Sequence, residues 1–193
     1  FIFAQNNLVI NGDFEITTSC NFNSGAIEKA IPWQNPTNRS PDYFNQCVGG
    51  FNVSIPKNYF GFQYAHSGIG HSGIICYNFS PVDSTYREYI QGTLIKSLKR
   101  KSYFFTTYIS LSDLPLQFSY FASINKIGVY LSQNQVFVAT NGTLPFTPQI
   151  LADTTVFYSD TLNWMKISGI YNASGGEQYL TIGNFSDNKH TDT

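Results

Sequence analysis

The sequence predicts an all-β domain, built as a two-sheet antiparallel β-sandwich, on three observations. Apolar and polar residues alternate with a period of two along several short runs, as half-buried strands require. Clusters of Gly, Asn, Pro and Ser separate those runs. Apart from a possible short turn within 24–30, no segment carries a convincing helical period. A length of 193 residues suffices for one domain with a sizeable core.

Composition narrows the class. Charged residues make up 12% and aromatic residues 17%, against roughly 25% charged in an average soluble protein. The surface must therefore be built from Asn, Ser, Thr, Gln and Tyr, which suits a secreted β-protein and argues against a disordered chain. A formal net charge of -1 leaves no electrostatic footprint for nucleic acid. No apolar run approaches the ~18 residues of a transmembrane helix.

In chain order, Phe1-Ile2-Phe3-Ala4-Gln5 reads as the remnant of a cleaved signal peptide, because Ala4-Gln5-Asn6 fits a small-residue cleavage site; an apolar strand is the alternative. Residues 6–193 are then a single exported domain. Leu8, Val9 and Ile10 form a short β-run, Asn11-Gly12 marks a turn or bulge, and Phe14 returns to the core ahead of Glu15. Residues 17–53 lack periodicity and are rich in Asn, Pro, Ser and Gly, so they read as a long, partly ordered loop insertion. Within it Trp33 is expected as an aromatic lid on a sheet edge, with a ligand-stacking role as the alternative; Tyr43-Phe44 could serve either purpose. Cys20 and Cys47 both lie in polar, turn-rich segments and are expected to form a disulfide, with Cys76 buried and unpaired in the apolar run 74–77. Three reduced thiols are the alternative.

Residues 59–64 read as a strand and 65–73 as a Gly/Ser/His loop. His66 and His71 on it are weak metal candidates without an acidic neighbour. A strand follows over 73–80, then a turn at Pro81-Val82-Asp83-Ser84. Residues 86–95 alternate, with Tyr86, Glu88, Ile90 and Gly92 on one face and Arg87, Tyr89, Gln91 and Thr93 on an outward polar and aromatic face. Lys96 to Lys101 read as a solvated hairpin turn. Residues 102–112 are expected as a central strand covered on both sides, with Tyr103, Phe105, Thr107, Ile109 and Leu111 opposite Phe104, Thr106, Tyr108 and Ser110. An aromatic-rich loop at 114–123 and strands at 126–132, 163–171 and 178–185 complete the pattern.

Asn7-Leu8-Val9-Ile10-Asn11-Gly12-Asp13-Phe14-Glu15 resembles the opening strand of galactose-binding-like jelly-roll modules, including carbohydrate-binding modules. Pro41-Asp42-Tyr43-Phe44-Asn45, Tyr59-Phe60-Gly61-Phe62-Gln63, His66-Ser67-Gly68, Arg87-Glu88-Tyr89-Ile90-Gln91, Asn163-Trp164 and Gly175 to Phe185 extend the resemblance. Together they look like a domain of Bacteroidota surface and envelope proteins, found ahead of OmpA-like domains or in gliding- and secretion-associated proteins. The resemblance implies a jelly-roll topology, here lacking the usual final strand. It also implies a structural Ca²⁺ held by Glu15, with Asp13 a nearby candidate and backbone carbonyls supplying further oxygens.

Function follows from what neutral sugars require: flat aromatic faces and a few planar hydrogen-bonding groups. Tyr43, Tyr59, Tyr64, His66, Arg87, Tyr89 and Gln91 are the expected ligand-binding residues of a non-catalytic glycan-binding module. A structural module that binds a cell-envelope protein is the alternative. A jelly-roll polysaccharide lyase using Tyr86, Arg87, His66 and His71 is a minor one. No Gly-x-Ser-x-Gly elbow, phosphate loop or His-Glu-x-x-His is present.

Overall fold

The structure, a computed structural model, describes residues 6–78, 85–113 and 122–193. The expected signal-peptide remnant, the turn at 81–84 and most of the aromatic-rich loop lie outside these residues. The protein is all-β and every strand pair is antiparallel. Its strands are β1 (Asp42–Asn45), β2 (Lys57–Asn58), β3 (Gly61–Phe62), β4 (Gly70–Gly73), β5 (Tyr89–Thr93), β6 (Ser102–Ile109), β7 (Gly128–Ser132), β8 (Ile150–Leu151), β9 (Met165–Asn172) and β10 (Tyr179–Gly183). Helical structure among the described residues is confined to 3-10 turns at Ile27–Lys29 and Asn188–His190.

Four of these strands form the main sheet, in the order β5-β10-β7-β8, and β6 pairs with β9 along its whole length. Ribbons β1-β4 and β2-β3 complete the pairing. Val129, Leu180, Ile182 and Ile90 of the main sheet join Ile167 and Tyr171 of β9 in one hydrophobic cluster. At Gly169 an added Cβ would stand 2.7 Å from an Ile150 methyl, so β9 can cross β8 closely only without a side chain there.

Strands at 102–109, 128–132, 165–172 and 179–183 form close to the expected runs, and burial alternates along β6 and β9. Several expectations change. Strand β4 lies within the expected Gly/Ser/His loop 65–73, and residues 74–78 of the expected strand 73–80 belong to no strand. Residues 17–53 are far from a mere insertion: they supply β1 and fully buried Ile27, Ala30 and Tyr43. The opening strand is reduced to a bridge between Val9 and Leu94, followed by a turn with Asn11 at φ 51° and Phe14 at φ 63°. Asn11 tolerates that conformation because its buried side chain donates to the Ile16 and Ile31 carbonyls and accepts from the Ile16 amide. Finally, β6 is no central strand. Among the described residues it is paired on one side only, and one of its faces is exposed at Phe104 and Tyr108.

Trp33 is the lid expected of it. Its ring stacks on Phe14 at 4.7 Å, its Nε1 donates to the Asn11 carbonyl at 2.7 Å, and it lies over Gly92 of β5. Cys20 and Cys47 form the disulfide, with Cα atoms 5.4 Å apart. Cys76 is unpaired, and burial pushes its thiol up to about 12. No helix among the described residues is long and apolar enough to cross a membrane.

Candidate functional site

The structure divides the expected ligand-binding residues into two groups with opposite environments. The first comprises Tyr43, Arg87, Tyr89 and Gln91. All four are buried, Arg87, Tyr89 and Tyr43 completely, which corrects the expected outward face of residues 87–93. The cause is that strand β5 is covered on both sides. One of its edges pairs with β10, while the other is bridged by Gln34, whose N–H and C=O exchange hydrogen bonds with Gln91 at 2.9 Å.

Each side chain of this group is hydrogen-bonded within the protein, with only the buried Arg87 Nε lacking a partner among the described residues. The Gln91 amide closes a reciprocal pair with the backbone of Val136, at 2.7 and 2.9 Å. Tyr89 donates to the Asn184 carbonyl at 2.5 Å and accepts from the Leu144 amide at 3.1 Å; burial raises its phenol well above the usual range. Tyr43 donates to the Phe14 carbonyl, accepts from Asn45 and stacks on Phe22. Arg87 donates to the Tyr86 and Ser186 carbonyls and to Asn188, under the ring of Tyr77. Desolvation lowers its pKa. These residues bind the β5–β10 layer to the chain around it.

The second group is open. Asn58 accepts from the Phe60 amide at 2.8 Å and sets the turn between β2 and β3. Gly61 sits at φ 128°, where the Asp113 carboxylate occupies the place of a Cβ, and Asp113 accepts from the Phe62 amide at 2.7 Å. Gln63 donates to Ser110 at 2.6 Å, and Trp164 Nε1 donates to the Tyr64 carbonyl at 3.0 Å. The 59–66 segment is thereby tied to the C-terminal end of β6 and to the residue preceding β9.

That fixation presents a cluster of rings. Tyr64 is 63% exposed, and Phe62, Tyr59 and Tyr108 are exposed as well. His66 stacks face to face on Tyr108 at 3.8 Å and meets Trp164 edge-on at 6.1 Å. Phe62 and Tyr64 form a T-shaped pair at 5.4 Å. Behind Trp164 lies His71, enclosed between that ring and Phe44, with Nδ1 donating to the Ser72 carbonyl. Burial lowers its pKa to about 4, so it is neutral at physiological pH.

Glu15 supports the same region from below. Its Oε1 accepts from the amides of Ile69 at 2.8 Å and Gly70 at 3.0 Å, and Gly68, at φ +65°, leaves room for the carboxylate. Asp13 is exposed at the preceding turn. Among the described residues no three His, Cys, Asp or Glu side chains come together as a metal-ligand group.

Of the expected ligand-binding residues, then, Tyr64 and His66 both meet Trp164, Tyr59 is exposed on the same segment with its ring edge-on to Phe60, and Tyr43, Arg87, Tyr89 and Gln91 are buried elsewhere. The four lyase candidates are also divided: His66 and His71 border Trp164, whereas Tyr86 donates to Glu88 and Arg87 to the segment after β10. The sequence puts Tyr108 on one face of a strand expected to be covered on both sides and offers Asn163-Trp164 as a motif, but nothing in their spacing joins them to Tyr64. Compared with protein-family models, with curated proteins and with solved structures, the chain matches none.

Proposed function

We propose that the protein is a non-catalytic, exported binding module whose ligand is a glycan, held at the cluster formed by Tyr64, His66, Tyr108 and Trp164, with the exposed Tyr59 on the same segment. The observation that carries this reading is the pairing of exposed ring faces with a backbone that is already fixed. A sugar presents C–H faces that stack on aromatic rings and hydroxyls that need planar partners, and Gln63, Asp113 and His66 border the rings. Because Asp113, Gln63 and Trp164 already tie the loop down, little loop entropy remains to be lost on binding.

The disulfide supports export, since such bonds persist in oxidising compartments. The jelly-roll connectivity and the galactose-binding-like family belong to the same proposal. Glu15 is read as a clamp on the 68–70 turn; calcium enters the proposal as a second partner of that carboxylate, through oxygens left after the two amide contacts.

A glycan array probed with the purified protein tests the reading. Binding should be lost in Tyr64→Ala and Tyr108→Ala while the melting temperature stays within about a degree or two of the parent, surface changes costing roughly 0.5 kcal/mol or less. Binding that survives both substitutions would remove the cluster from the account.

A further inference from the structure

Strand β6 pairs with β9 through alternate residues, and the register shows which backbone groups are left over. The Ala173 amide donates to the Lys101 carbonyl, and Ser102 lies opposite Asn172, Tyr103 opposite Tyr171 and so on to Ile109 opposite Met165. In an antiparallel pair every second residue exchanges both hydrogen bonds with its partner, and the intervening residues point theirs away. Ser102, Phe104, Thr106 and Tyr108 therefore direct N–H and C=O to the far side of β6. Among the described residues none of these groups has a hydrogen-bond partner.

This edge opens on a cleft. A cavity of about 1160 Å³ runs along the whole of β6, with Ile90, Leu180 and Ile182 of the main sheet on its floor and Phe105 and Ile109 on its wall. The inward side chains of β6 are consequently only half-buried, although their counterparts on β9 at Ile167 and Tyr171 are buried. The far edge of β9 also lacks backbone partners among the described residues, but the cavity does not run along it. At the N-terminal end of β6, the exposed side chains of Lys96, Lys99 and Lys101 line the mouth of the cleft. None of the three makes an ion pair among the described residues.

Two chemistries could fill an apolar cleft with a basic mouth, an acyl chain or a polypeptide strand. The edge decides between them. An acyl chain would cover the four outward N–H and C=O groups and leave them dry and unpaired, at a cost in each case comparable to a lost hydrogen bond. A strand satisfies them and places every second side chain into the cleft.

We propose that β6 is a strand-addition site for a partner polypeptide: an extended segment with apolar residues at alternate positions, running antiparallel to β6, with an acidic C-terminal end at Lys96, Lys99 and Lys101. The segment hydrogen-bonds Ser102, Phe104, Thr106 and Tyr108 and completes the core over Ile90 and Leu180. The lysines set its direction, because only an antiparallel strand brings its C-terminal carboxylate to the start of β6.

The probe is an N-acetylated peptide as long as β6, of alternating valine and serine, ending in two aspartates with a free carboxylate. Hydrogen exchange read at single amides is the direct test. Peptide should slow exchange at Phe104, Thr106 and Tyr108 by at least about tenfold, the equivalent of one or two net hydrogen bonds, while Phe105 and Thr107, already bonded to β9, stay unchanged. N-methylating the peptide at the positions facing β6 should abolish binding, as should Thr106→Pro, which an edge strand accommodates because the lost N–H points outward. Lys99→Ala with Lys101→Ala should weaken the acidic peptide several-fold and leave its C-terminally amidated, aspartate-free counterpart unaffected. Failure to protect the three amides would overturn the proposal. So would equal binding of the N-methylated peptide, displacement of the peptide by palmitate with retained edge exchange, or edge protection that rises with protein concentration alone, which would make a second copy the occupant.

Discussion

Tyr89 and Tyr64 were expected to do the same work, and the molecule uses them in opposite ways. Tyr89 is fully buried, with its hydroxyl between the Asn184 carbonyl and the Leu144 amide; Tyr64 is 63% exposed, its carbonyl bonded by Trp164 and its ring edge-on to Phe62. The difference lies in what covers each strand. Around β5 the chain returns with Gln34 and residues 136–144, so an alternation that would normally leave one face wet is buried on both. Around 59–66 the chain contributes hydrogen bonds to the backbone and leaves the rings uncovered. The site proposed for a ligand is therefore the aromatic face left open to solvent, not the one that the returning chain covers.

The largest effect should come from emptying the buried set. Tyr89→Ala should cost about 3–5 kcal/mol of stability in chemical denaturation, by the precedent of large aromatic truncations, and Tyr89→Phe about 1–3 kcal/mol for the stranded Asn184 and Leu144 groups. A Tyr89→Ala variant as stable as the parent would break the comparison at its buried end. Next in size is the disulfide. Cys20 and Cys47 stand 27 residues apart in sequence, and losing the bridge through Cys20→Ser with Cys47→Ser should cost about 3 kcal/mol on the chain-entropy model. Non-reducing peptide mapping should recover the Cys20–Cys47 link and no bridge to Cys76.

A smaller, pH-dependent effect separates the two regions again. Beneath β5, burial raises the Asp42 carboxyl to about 7, the Gly25 amide opposing this and the Glu88 charge adding to it. Burial raises Glu88 as well. For both groups the unfolded chain ionises first, so stability present at acid pH is lost as pH rises, for Asp42 toward about 7. His71, beside the open cluster, has the reverse sign. Its pKa falls from 6.5 to about 4, so the stability it contributes is present above 6.5 and lost as pH falls toward 4. Over the shared window the two slopes oppose each other at about 1.4 kcal/mol per pH unit each. His71→Gln should make the protein lose stability more steeply as pH rises through that window, and Asp42→Asn should make it less steep. Identical pH profiles for parent and both variants would mean that neither group is buried as described.

How much of this was legible depends on what decides each feature. Alternation marked β6, β7, β9 and β10 because their periodicity is local, and Ile31-Pro32-Trp33 pointed to a lid because a large ring beside a sheet edge has few other uses. The two-residue strands β2, β3 and β8 are too short to carry a period. The burial of Arg87 and Gln91 rests on Asn188 and Val136, about a hundred and about forty-five positions away, and the site partners of Tyr64 stand at Tyr108 and Trp164. Such contacts are set by tertiary packing, and no local pattern announces them. The same holds for β6, whose two-sided apolar character suggested a central strand although its second partner is missing from the described residues.

The most direct measurement uses the two tryptophans. Trp33 is buried under Phe14, whereas Trp164 borders the open cluster, so acrylamide should quench Trp164 and spare Trp33. The strongest binder from a glycan array, added at saturation, should protect the quenchable emission, and Tyr64→Ala should abolish both the binding and the protection. Glycan binding that leaves the Trp164 quenching curve unchanged would contradict the assignment of the open cluster as the site.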